Sequence, residues 1–171
     1  MIPFKNSRIK KMILLANLAA VAIVLGIVES RLEIAIVPGA KLGLANLITL
    51  IVLYLFSFKE AFIVTIVRIL MVGILSGVLG PPFWMGFAGG IFSVTIMSLF
   101  KKAKLSTTLV SLFGSIAHQI GQILVGVQLL GGKQIAYYLY IMIPLGVVSG
   151  IAIGFIAEKF LIHYNKRFEM E

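Results

Sequence analysis

The chain predicts an all-α integral membrane protein: a six-transmembrane-helix bundle, one domain over residues 1–171, with both termini in the cytoplasm. Three observations carry this. Hydrophobic residues make up 60% of the chain against 12% charged, and the mean hydropathy is +1.10, more apolar side chain than a soluble core of this length can hide. Several apolar runs approach the roughly 20 residues that cross about 30 Å of hydrocarbon as a helix. The basic residues gather at alternate ends of those runs, as topology signals do.

Six spans follow in order, at residues 12–28, 42–56, 61–79, 83–100, 107–130 and 135–157. The first is preceded by Lys5, Arg8, Lys10 and Lys11; it reads as a retained helix rather than a cleaved signal, because the charge pattern balances only if it stays. The second is short. Lys59 lies between the second and third, Lys101, Lys102 and Lys104 follow the fourth, and Lys159, Lys166 and Arg167 follow the sixth. With the N-terminal four these are 11 basic residues on one side, against Arg31, Lys41 and Lys133 on the other. The positive-inside rule puts the richer side in the cytoplasm. Trp84 and the Tyr137, Tyr138, Tyr140 cluster fall near the outer interface, and Phe160 and Tyr164 near the inner one. Segment 29–41 is too polar to span and too apolar for a solvated linker, so it should fold back on the bundle, turning at Pro38-Gly39 and leaving Lys41 at the mouth of the second helix. Gly80-Pro81-Pro82 makes the other rigid outer connection.

Small residues supply the packing pattern, since helices in lipid need close backbone approach. Gly146, Gly150 and Gly154 form a seam on the last helix, Gly86 and Gly90 one on the fourth, and Ala16 with Ala20 repeats the spacing on the first. Internal packing is the ordinary reading of each, and an exposed seam awaiting a partner the alternative.

Polar residues inside the spans say more. Arg68 lies mid-way through the third run, where an ionised guanidinium costs about 3 kcal/mol or more and marks function. The chain has no aspartate, and its six glutamates lie outside or at the ends of the apolar runs, so no intramembrane carboxylate is expected to pair with it. Backbone carbonyls and water, or an anionic or strongly polar ligand, must then satisfy it. On the fifth helix Ser111, Ser115, His118 and Gln122 share a face with Gln119 beside it, and Arg68 and His118 reach similar depth. Asn46, Thr49 and Ser57 add polarity to the second helix, and Thr65 and Ser76 to the third. A lone membrane histidine is as readily a packing residue as a ligand-binding one, and serine or threonine can bond its own helix. No metal or other cofactor is expected, because His118 has no second membrane histidine, no cysteine and no adjacent carboxylate.

The blocks Pro38-Gly-Ala-Lys-Leu-Gly-Leu-Ala-Asn46, Arg68, Gly86-Phe-Ala-Gly-Gly90 with Ser93, and Gly114-Ser-Ile-Ala-His-Gln-Ile-Gly-Gln122 together resemble the bacterial membrane family named heptaprenyl diphosphate synthase component I, also called the Gx transporter family. The resemblance runs from the first helix to Gly154. That family in turn resembles the substrate-binding S-components of energy-coupling-factor (ECF) vitamin transporters, with about six helices and cytoplasmic termini. The likeness implies a bacterial plasma membrane location, and an Ala-x-x-x-Ala face, here Ala16 and Ala20, that docks a transmembrane coupling subunit served by separate ATPases.

The two names imply different work. A prenyl diphosphate synthase gathers magnesium around diphosphate with aspartate-rich motifs, and a chain without aspartate is not expected to be its catalytic subunit. No phosphate-cradling glycine loop followed by Lys-Ser or Lys-Thr occurs, so any ATP must be hydrolysed elsewhere. The sequence therefore reads as a non-enzymatic substrate-capture subunit for a vitamin-like or isoprenoid- or quinone-related compound. The alternative is a non-catalytic membrane accessory of heptaprenyl diphosphate synthesis; a self-contained secondary transporter fits less well for want of a membrane carboxylate. Arg68, His118 and Gln122 are expected to line the ligand pocket, with Asn46 and Lys41 near its outer mouth. Phe83, Trp84 and Phe87 offer surface to an apolar part.

Overall fold

A computed structural model describes residues 8–31 and 43–168. Six α-helices run through it: α1 (Arg8–Arg31), α2 (Leu44–Leu55), α3 (Phe58–Ser76), α4 (Pro81–Lys102), α5 (Thr107–Leu130) and α6 (Leu139–Phe168), with a 3-10 turn at Lys133–Tyr138 before the last. Four of them, α1, α4, α5 and α6, are long and apolar enough to cross a membrane. α3 is shorter, at 19 residues, and carries Lys59, Glu60 and Arg68. This is a multi-pass membrane bundle.

Local chemistry sets the helix ends. Ser57 and Ser106 cap α3 and α5 by accepting from the Lys59 and Leu109 amides at 3.2 and 3.3 Å. Pro81 opens α4, where its missing N–H costs nothing. Gly77 and Gly131 close α3 and α5 in the left-handed conformation, at φ 68° and 72°. The sequence places the fifth helix at its observed bounds. The sixth begins later than expected because a 3-10 turn takes its first residues, and it continues past Ala157 well into the basic tail.

α2 organises the rest. Its 12 residues rise only about 17 Å, half the depth of the bundle, so it cannot cross alone. Eight of those residues are buried, and it packs against α1, α3, α4 and α6. Its ends leave orphan amides at one side and orphan carbonyls at the other. Charged side chains from two neighbours serve them. Glu29 of α1 accepts from the Gly43 amide, and from the Leu44 amide at 3.2 Å. Lys101 of α4 donates to the Leu53 carbonyl at 2.5 Å and lies over the Tyr54 ring. A carboxylate at the N-terminus and an ammonium at the C-terminus both complement the helix dipole.

Glycine contacts join the remaining helices. The seam on α6 is internal: a Cβ at Gly150 would lie 2.9 Å from the Leu112 Cα, and one at Gly154 2.6 Å from the Thr108 Cα, so α6 rides directly on the backbone of α5. On α4, Gly90 faces Thr65 and Ile69 of α3, while Gly89 faces Gln122 and His118 of α5. α4 thus separates α3 from α5. At the basic end, Lys11 of α1 bonds Glu60 of α3 at 2.5 Å.

Candidate functional site

Buried polar groups lie on α2, α3, α4 and α5. Asn46, in the first turn of α2, is 7% exposed and donates through Nδ2 to Ser93 Oγ of α4 at 3.1 Å. Its Oδ1 has no hydrogen-bond partner. One turn on, Thr49 meets Thr65 of α3 at 3.2 Å, and Thr65 returns its own hydroxyl to the Ala61 carbonyl. Arg68 stands one turn above Thr65, 8% exposed, and its Nε has no hydrogen-bond partner. On α5, Gln119 and Gln122 are 5% and 3% exposed, and Gln119 Oε1 is likewise unpartnered. Three side chains at least nine-tenths buried thus keep a polar atom unserved. Each such atom costs of order 1–3 kcal/mol, and sites of this kind occur where a protein must meet something else.

Among the described residues no carboxylate lies within ion-pair distance of Arg68, yet one, Glu29, is buried inside the bundle. α1 does not stop at the end of its apolar run; it continues to Arg31 and carries Glu29 onto the buried face formed by Ala22 and Gly26. Glu29 is 5% exposed, and its carboxylate serves the Gly43 and Leu44 amides at the start of α2. The spacing of Ala22, Gly26 and Glu29, four and then three, was the available signal: it puts the acid on the small-residue stripe that faces the bundle.

The other sequence candidates fall as follows. The single polar face expected on α5 divides in two. Ser111, Ser115 and Gln119 lie against Gly154, Gly150 and Gly146 of α6, whereas His118 and Gln122 lie against Gly89 of α4. His118 is half-buried, and both it and Gln122 approach α4 at Gly89, while α3, the helix that carries Arg68, meets α4 at the adjacent Gly90. Lys41 lies outside the described residues. Ala16 and Ala20 are exposed on the outer side of α1, so they are not an internal seam. Lys101 and Gln119, which matter to the frame and to the polar layer, carried no distinctive sequence signal.

Among the described residues no three metal-ligating side chains come together. The layer offers one cation, one carboxylate already engaged with two amides, and amide groups able to donate and accept. That set can bind and orient a polar head; it contains no arranged nucleophile and base.

The profile of heptaprenyl diphosphate synthase component I matches residues 18–160. The chain belongs to that family. The match takes in α2 to α5 and every member of the polar layer, Glu29, Asn46, Arg68, Gln119 and Gln122 among them, and it leaves Ala16 just outside. No curated protein and no solved structure matches the chain. The name of the heptaprenyl diphosphate synthase component I family makes its members one part of a synthase, so a protein partner accords with it.

Proposed function

We propose that this chain is a non-catalytic membrane component that holds an isoprenoid-related small molecule, with its polar head among Arg68, Asn46, Gln119 and Gln122, for a separate synthase subunit. The observation that supports this is the buried, unserved Nε of Arg68, one turn along α3 from the Thr49–Thr65 contact, with the unserved amide oxygen of Asn46 one turn along α2 from the same contact, in a member of a synthase-component family. The absence of aspartate supports assigning the magnesium chemistry to another chain. His118 and Gln122, packed on Gly89, would fix the ligand's orientation from α5. Lys41 would stand near the outer mouth.

The test is affinity purification from native membranes after mild cross-linking, followed by prenyl diphosphate assays of the captured chain with and without this subunit. The expected result is capture of a soluble chain bearing aspartate-rich motifs, whose product formation rises several-fold when the membrane component is restored. Capture of no such chain, or unchanged product formation, would contradict the proposal.

A second reading, capture of a substrate for uptake by an ECF-type coupling subunit and ATPases, is favoured by the exposure of Ala16 and Ala20. Small exposed residues on a membrane helix permit the close approach of a partner helix. In that case the same purification yields a membrane subunit with ATPases. Replacing both alanines by leucine then abolishes capture while the isolated chain stays folded; loss of the fold would sink this reading.

A further inference from the structure

We infer that α1 is a self-association helix: two copies of this chain meet in the membrane on the face of Asn17, with the two carboxamides hydrogen-bonded to each other. The inference is independent of the ligand site and concerns a surface that the polar layer leaves untouched.

Asn17 lies six residues beyond Lys11 and fourteen before Arg31, about 9 Å and about 21 Å from those charges along the helix axis. A side chain this short reaches neither interface, unlike a lysine or arginine whose long stem carries its head there. Asn17 is nevertheless exposed, as are Ile13, Ala16, Ala20 and Val24 around it. Among the described residues nothing hydrogen-bonds its carboxamide. Hydrocarbon offers no partner in place of water, so the group stays unpaired until another protein surface meets it. Thr95 of α4 shows how an exposed polar side chain is accommodated without a partner: its hydroxyl donates to the Ile91 carbonyl of its own helix at 2.8 Å. Asn17 makes no such bond.

Its surroundings admit a second helix. α1 packs against α2 and α3, and its buried residues Ala22, Gly26 and Glu29 lie on the other side. Between Lys11 and Arg31 no exposed residue of α1 is charged. Ala16 and Ala20, beside Asn17, keep the surface low enough for close backbone approach. Small residues by themselves only permit such a contact; the unpaired amide in lipid gives the reason for one.

The chemistry of the amide selects the occupant. A carboxamide carries a donor and an acceptor in one group and is therefore its own complement. Across a two-fold axis along the membrane normal, each Nδ2 donates to the other copy's Oδ1, and the alanines of one copy face those of the other. Such an axis also keeps both copies in the same orientation in the bilayer. A partner of another kind must bring a matching amide at the same depth, whereas a second copy always has one.

The chain contains no cysteine, so single introduced thiols report the contact. Under copper-catalysed air oxidation in native membranes, Ala20→Cys should form a disulfide-linked species of twice the chain's mass, and Val148→Cys, on the exposed side of α6, should not. Adding Asn17→Leu to Ala20→Cys should cut the yield at least about fivefold, the effect of one interhelical hydrogen bond in lipid, whereas Asn17→Gln, which keeps the carboxamide, should retain most of it. Unchanged thermal unfolding of the Asn17→Leu chain places that loss in the contact rather than in the fold. A yield that Asn17→Leu leaves intact would overturn the inference. So would an Ala20→Cys product that joins this chain only to a protein of different mass, which would give the face to another subunit.

Discussion

Arg68 and Glu29 are both buried, and they are served unequally. The carboxylate has two amides to hold, and the guanidinium retains an Nε–H without an acceptor. Removing Glu29 therefore strikes the frame first. Glu29→Ala should lower stability by at least about 1–2 kcal/mol, the worth of a helix N-cap, whereas Glu29→Gln should lose much less. Thermal unfolding in nanodiscs checks this, and equal loss in the two variants would show that charge rather than capping matters. Glu60, at the basic end, is a different kind of acid. Lys11 and then Ser57 hold its carboxyl down to about 2 from an ordinary 4.5. A depressed carboxyl contributes stability above its unfolded value and loses it as pH falls through the folded one, so the α1–α3 tie should weaken between about pH 4.5 and 2. Lys11→Met should reduce that part of the acid dependence; a titration profile unchanged from wild type would contradict it.

Glycine seams decide how the elements fit. Gly150 and Gly154 set α6 on the backbone of α5, where a Cβ would meet Cα atoms that cannot move aside. Gly154→Leu should therefore destabilise by about 1–3 kcal/mol or more, as overpacking does. Ala16→Leu with Ala20→Leu, on the exposed side of α1, should leave thermal stability of the isolated chain within about 0.5 kcal/mol. Unfolding by the alanine pair, or tolerance of the glycine change, would reverse these assignments. Much of this was legible: a run of three glycines at fourth positions already marks close packing, and α5 has the bounds its apolar run predicts. The role of α2 was not. Hydropathy measures how apolar a run is, and α2 is apolar throughout; that it stops at half depth and borrows a cap from each of two other helices depends on contacts far apart in sequence. For the same reason the 3.6-residue spacing on α5 identified its polar side chains but could not divide them between α4 and α6.

For the whole molecule, the 11 to 3 charge bias at the ends of the helices predicts both termini in the cytoplasm. Single cysteines at Ser106 and Lys133 should then label from opposite faces of intact cells; labelling of both from outside would break the topology. Within that frame the family match and the polar layer meet in one claim, that this membrane component carries a small molecule at Arg68. Native mass spectrometry of the purified chain, beside Arg68→Ala at matched thermal stability, tests it most directly. A hydrogen bond to a charged group contributes about 1.5–3 kcal/mol, so the wild type should retain a bound small molecule that the variant holds roughly tenfold to a hundredfold less tightly. Equal occupancy per folded molecule in the two proteins, or a wild type with no small molecule in any lipid or extract tried, would contradict the account.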